Sequence, residues 1–139
     1  MNKVYVVVFI MLLMFLIGGC AAGGQATNGE ETTAKVEFKS ISQDEAKKIM
    51  EGEDSYLIVD VRTKEEYATG HIPGAILIPN ESIKESEPKE LPDKDEIILV
   101  YCRSGNRSKQ ASKKLADMGY TKVYEFGGII NWTGDIVTE

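Results

Sequence analysis

"LVYCRSGNRSKQ", residues Leu99 to Gln110, joins two different periodicities at a single cysteine. Upstream, Ile97 to Tyr101 is a continuous apolar run with β-branched residues, the pattern of a strand covered on both faces. Downstream, Ala111, Leu115 and Met118 recur at i, i+4 and i+7, and Gly119 supplies a stop, so the segment predicts an amphipathic helix. A strand feeding straight into a helix is half of a βα unit. Buried strands alternating with helices argue for a parallel sheet in one α/β domain.

The rest of the chain keeps this alternation. "VEFKSI", Val36 to Ile41, reads as a short strand. "SQDEAKKIMEG" opens with a capping box, Ser42 and Glu45, and closes on Gly52. Tyr56 to Val61 is a second buried-strand run, and "TKEEYATG" carries another capping box, Thr63 and Glu66, stopped by Gly70. "AILIP" is a strand ended by Pro79, and "ESIKESEPKELPDKDE" a long polar connection with room for one helical turn. "KVYEF" is the fifth strand and "GGIINWTG" a short closing helical piece. The domain so defined spans residues 36–139.

The amino-terminal end is different. "MNK" is a short basic segment, and Val4 to Ile17 is an unbroken apolar run of 14 residues followed by "GGC". A membrane span needs about 20 apolar residues, so the run fits a signal sequence, with an uncleaved anchor helix as the alternative. "IGGC" resembles the lipobox of bacterial lipoproteins. That resemblance implies cleavage after residue 19 and a lipid anchor on Cys20, on the extracytoplasmic side of the cell membrane. "AAGGQATNGEETTA" then reads as a flexible tether over residues 20–35, reaching about 20 Å.

Charge excludes one class of partner. Residues 1–19 hold one lysine and no acid, so the remainder carries 15 basic and 22 acidic residues, a net charge of −7. No basic face for nucleic acid is apparent, and anionic lipid would not attract the domain without its anchor. With Cys20 lipidated, Cys102 has no intramolecular partner, which marks a reactive thiol or an intermolecular one. One histidine and one free cysteine leave no His/Cys metal cluster.

Ligands of an open parallel sheet bind at the carboxyl ends of its strands, where Cys102 sits. The thiol faces a helix amino terminus, whose unpaired N–H groups favour an anion. Arg103 and Arg107 add positive charge, and Gly105 permits a turn in which successive N–H groups converge. In such settings a thiol value near 8.5 falls to about 3.5–7.5, so a thiolate is expected at neutral pH. Asp60 and Arg62 are expected on the same rim as a structural ion pair, His71 as a hydrogen-bonded turn residue, and Trp132 as packing for the closing helix.

"LIVDVRTKEEYATGHIPGAILIP", "IILVYCRSGNRS" and "FGGIINW" together resemble the successive motifs of a single rhodanese domain, the sulfurtransferase module. The resemblance implies a rhodanese-like five-stranded parallel sheet flanked by helices on both faces. It implies that Cys102 carries sulfane sulfur as a persulfide, cradled by Arg103, Ser104, Gly105, Asn106 and Arg107, with Asp60 bracing the loop region. The donor would be a small sulfur-containing anion such as thiosulfate, the acceptor cyanide or a thiol, and no metal or organic cofactor is needed. Related phosphatases have five residues between cysteine and arginine, whereas "CRSGNR" has four, a cradle better matched to one sulfur atom than to a phosphate. The alternative within the family is a persulfide carrier or partner-binding module without turnover of its own.

Overall fold

A computed structural model describes residues 34–138; the segment expected to be a signal sequence, Cys20 and most of the expected tether lie outside the described residues. Five parallel strands form one sheet: β1 (Lys39–Ser40), β2 (Leu57–Asp60), β3 (Ala75–Leu77), β4 (Ile98–Cys102) and β5 (Val123–Gly128). Their spatial order is β1-β5-β4-β2-β3. Helices α1 (Gln43–Gly52), α2 (Lys64–Ala68) and α3 (Asn106–Asp117) connect them, with single 3₁₀ turns at Asn80–Ser82 and Ile129–Asn131.

The order of the strands fixes where a site forms. From β2 the chain moves outward to β3 through α2, whereas from β4 it moves the other way to β5 through α3. Because such crossovers are right-handed, α2 and α3 fall on opposite faces. The carboxyl ends of β2 and β4 therefore flank the point where the winding reverses, the place at which open α/β sheets bind ligands. Cys102 is the last residue of β4.

Packing follows the same division. Val59, Val61, Ile98, Val100 and Cys102 meet Ala111 and Leu115 of α3 in one core. Ile58, Leu99, Tyr101 and Phe126 meet Ala46 of α1 in the other. All five residues of β4 are buried, as their apolar run requires of a central strand. Both capping boxes form: Ser42 Oγ accepts from Glu45 N at 3.2 Å while Ser42 N donates to Glu45 Oε2 at 2.8 Å, and Thr63 and Glu66 repeat the exchange at the start of α2.

The elements differ from sequence expectation mainly in length. The first strand shrinks to two residues, Lys39 and Ser40, in register with Tyr124 and Glu125 of β5. The helix after Cys102 begins at Asn106, directly behind Gly105. The polar connection makes one 3₁₀ turn and is otherwise irregular. It is held by burial of Ile83 and Leu91 and by the Tyr120 hydroxyl, which donates to the Leu91 carbonyl at 2.7 Å.

Candidate active site

The loop is built around the sulfur. Gly105 takes φ +105°, a left-handed conformation that residues with a Cβ rarely adopt, and it caps α3 without any side-chain hydrogen bond. Its N–H points back instead and donates to Cys102 Sγ at 3.0 Å. Cys102 itself is 1% exposed, whereas Arg103, Ser104 and Asn106 around it are exposed.

The adjoining strand makes room for this loop. Pairing of β4 with β5 slips between Val100 and Cys102: Val100 faces Glu125, but Cys102 faces Gly128, so β5 carries one extra residue. Gly127, at φ +91°, absorbs this bulge. Gly128 has ordinary extended dihedrals, but a Cβ there would lie 2.1 Å from the Arg103 carbonyl oxygen and 2.6 Å from Ser104 Cα. It is glycine because the cysteine loop lies against its backbone. Ile130 N then donates to the same Arg103 carbonyl at 3.3 Å, fastening the loop to the closing turn.

Two opposing influences act on the thiol. Burial pushes it up; the Ser108 hydroxyl and the N–H groups of Ser108, Gly105 and Ser104 pull it down, and the balance lies below the ordinary thiol value. The direction agrees with the expectation of an activated thiol, and so does the part played by the loop N–H groups; the arginine part differs. Arg107 does not point its fork at the sulfur. It forms two hydrogen bonds to Glu66 of α2, Nη1 to Oε2 at 2.7 Å and Nη2 to Oε1 at 2.8 Å, and only a through-space attraction to Cys102 remains. The Arg107 contact, with the N-terminal hydrogen bond from Thr63, holds the Glu66 carboxyl down at about 2.

Two functional residues were missed in the sequence: Ser108 and Glu125. Ser108 is fully buried, and its hydroxyl lies 3.5 Å from Cys102 Sγ and 2.7 Å from Glu125 Oε1. Glu125, 2% exposed, also accepts from Gly127 N at 2.8 Å and from Ser40 Oγ at 3.1 Å. Periodicity turns both inward without giving either a role: Ser108 lies on the stripe 108, 111, 112, 115, and Glu125 shares the strand face of Val123.

Asp60 and Arg62 do form the expected buried ion pair, Nη2 to Oδ2 at 2.6 Å. Arg62 Nη2 also donates to the Gly70 carbonyl at 2.7 Å, so the pair braces the turn after α2. Asp60 alternates with Val59 and so faces away from the α3 side that Cys102 occupies; it shares the rim but not the thiol's surroundings. His71 stacks on Tyr67 with ring centres 3.7 Å apart, and its Nδ1 lies 3.0 Å from the Tyr67 carbonyl, a structural turn residue. Trp132 packs on Phe126, as expected. Among the described residues, no group of His, Cys, Asp or Glu is placed to hold a metal ion.

Residues 42–135 match the family model described as "Rhodanese-like domain". The chain belongs to the rhodanese-like family. This rhodanese-like chain is 44% identical over 71 residues to thiosulfate sulfurtransferase PspE of Escherichia coli, covering 51% of this chain and 68% of PspE. It is 37% identical over 100 residues to the putative sulfurtransferase YtwF of Bacillus subtilis, covering 72% of this chain and 95% of YtwF. Among solved structures, a rhodanese-like domain protein from Staphylococcus aureus superposes with TM-score 0.61 at 38% identity. That match covers 73% of this chain and 98% of the other.

Proposed function

We propose that this rhodanese-like protein is a sulfurtransferase that carries sulfane sulfur on Cys102. The observation that carries the reading is the sulfur of Cys102 at a strand end, with Gly105 N–H donating to it at 3.0 Å under a helix amino terminus. In the first half-reaction the Cys102 thiolate attacks the outer sulfur of thiosulfate. A new S–S bond forms to Cys102, the old one breaks, and sulfite departs with the electron pair. In the second, cyanide or a thiolate attacks the outer sulfur of the persulfide, and Cys102 leaves as thiolate. The loop N–H groups offer donors where negative charge develops on sulfur, and two half-reactions through a covalent enzyme predict ping-pong kinetics.

Arg103, Ser104 and Asn106, exposed around the sulfur, are the residues proposed to meet the anionic donor. Arg107 contributes its field but keeps Glu66 as its partner. Replacement Cys102→Ser is expected to abolish sulfite release from thiosulfate plus cyanide, and unchanged release would exclude the mechanism. The lipid anchor on Cys20 belongs to the same proposal: the domain works tethered to the membrane on its extracytoplasmic side. Cys20→Ser is expected to move the protein out of the membrane fraction or leave it unprocessed; an unchanged distribution refutes the anchor.

A further inference from the structure

Glu66 and Arg107 stand in the first turns of α2 and α3, the two helices that follow β2 and β4. Those strands are neighbours in the sheet, but their helices cover opposite faces. Tyr67 of α2 packs on the core that holds Ala46, whereas Ala111 and Leu115 of α3 belong to the other. An ion pair between the two helix starts must therefore cross the carboxyl ends of β2 and β4, the crevice at which Cys102 lies. Two parallel hydrogen bonds of 2.7 and 2.8 Å fix the guanidinium on the carboxylate, and Thr63 N donates to the same carboxylate at 3.1 Å. Both side chains remain partly exposed, so both charges act on a molecule approaching through solvent.

This pairing alters what the crevice offers to a charged donor. Cys102 feels Arg107 through space, yet Glu66 places an equal and opposite charge directly on that guanidinium. Glu81 is a second carboxylate acting on Arg107, and Arg62, the other cation acting on Glu66, is itself paired with Asp60. Counted in whole charges, Arg103 and Arg107 are matched by the Cys102 thiolate and Glu66, so each negative charge that a donor adds stands unbalanced.

We propose that Glu66 is a specificity-determining residue of the sulfur-transfer site: its carboxylate, clamped across the crevice by Arg107, disfavours doubly charged sulfur donors relative to singly charged ones. The class so favoured is an organic thiosulfonate or persulfide anion over an inorganic dianion. With a thiosulfonate, the Cys102 thiolate attacks the outer sulfur and a new S–S bond forms to Cys102. The old S–S bond breaks, and a sulfinate leaves with the electron pair, so atoms and charge are conserved.

The inference rests on sulfur transfer through Cys102. Thiosulfate and methanethiosulfonate form the test pair, because a methyl group in place of one oxygen removes one charge with little change of shape. Each serves as donor to the full chain, with cyanide as acceptor and thiocyanate as readout, from low to high salt. In Glu66→Gln, kcat/KM for thiosulfate is expected to rise about three- to tenfold more than for methanethiosulfonate at low salt. That excess should shrink towards about 1 M salt, where the screening length falls to about 3 Å. Glu66→Asp keeps the charge and should leave the ratio of the two donors as in wild type. A merely structural glutamate would change both donors by one factor at every salt concentration, and that result overturns the proposal. Should Glu66→Gln not fold, wild type decides: its kcat/KM for thiosulfate should fall with salt no more steeply than that for methanethiosulfonate. A steeper fall would show that the crevice attracts the dianion more strongly, and also overturns the proposal. Thiocyanate from neither donor would refute sulfur transfer and the inference with it, a failure distinct from equal factors.

Discussion

Replacing Gly128 with alanine tests whether the cysteine loop is shaped by the backbone that it lies against. The added Cβ would stand 2.1 Å from the Arg103 carbonyl oxygen, where ordinary contact begins at 3.4 Å, so one side must retreat by more than 1 Å. Gly128 has φ −122° and ψ 142°, which alanine adopts freely, so the cost is the clash alone. Overpacking of this kind costs about 1–3 kcal/mol, or a fall in Tm of about 5–15 °C for a domain of this size. A displacement of about 1 Å at a reacting group costs about 100-fold in rate. Thermal unfolding and thiosulfate-dependent sulfite release measure the two effects. Gly127→Ala is the control: its φ of +91° makes alanine strained, but nothing lies within 4 Å of the new Cβ. It should cost about 1–2 kcal/mol and retain far more activity than Gly128→Ala. Wild-type rates and stability in Gly128→Ala would refute the reasoning.

Other perturbations read other parts of the molecule. The Ser112 hydroxyl is buried without a partner among the described residues, so Ser112→Ala should raise stability by about 1 kcal/mol in denaturant unfolding. No change, or a loss, would mean that the hydroxyl is satisfied. The Glu66 carboxyl, lowered from 4.5 to about 2, stabilises the folded state fully above pH 4.5, and that contribution is lost as pH falls towards 2. Because both side chains are partly exposed, 27% and 29%, the pair is worth about 1 kcal/mol, and Glu66→Gln should flatten stability against pH in that window by this amount. An unaltered pH dependence in the variant would assign the acid sensitivity elsewhere.

The sheet was legible because its strands are buried on both faces and so leave continuous apolar runs in the sequence, and because Ser42, Glu45, Thr63 and Glu66 stand at capping-box spacing. Gly105 was legible for the same kind of local reason, since a turn between strand and helix needs left-handed backbone. What escaped detection depends on distant partners. Arg107 sits beside Cys102 along the chain, but its guanidinium answers to Glu66, 41 residues earlier, and no local pattern encodes that choice. Glu125 interrupts a strand that alternation says should be apolar on that face, and its meaning appears only once Ser108 and the bulge at Gly127 are brought against it. The β1 strand was overestimated because edge strands are bounded by what their one neighbour can pair, not by their own composition.

The central claim is that Cys102 holds transferable sulfur. Mass spectrometry of the protein after exposure to thiosulfate, without reductant, measures this directly. The account predicts a gain of one sulfur atom, located on the Cys102 peptide, absent from Cys102→Ser and removed by cyanide. An unmodified Cys102 in a protein that still releases sulfite, or the added sulfur on another residue, would contradict it.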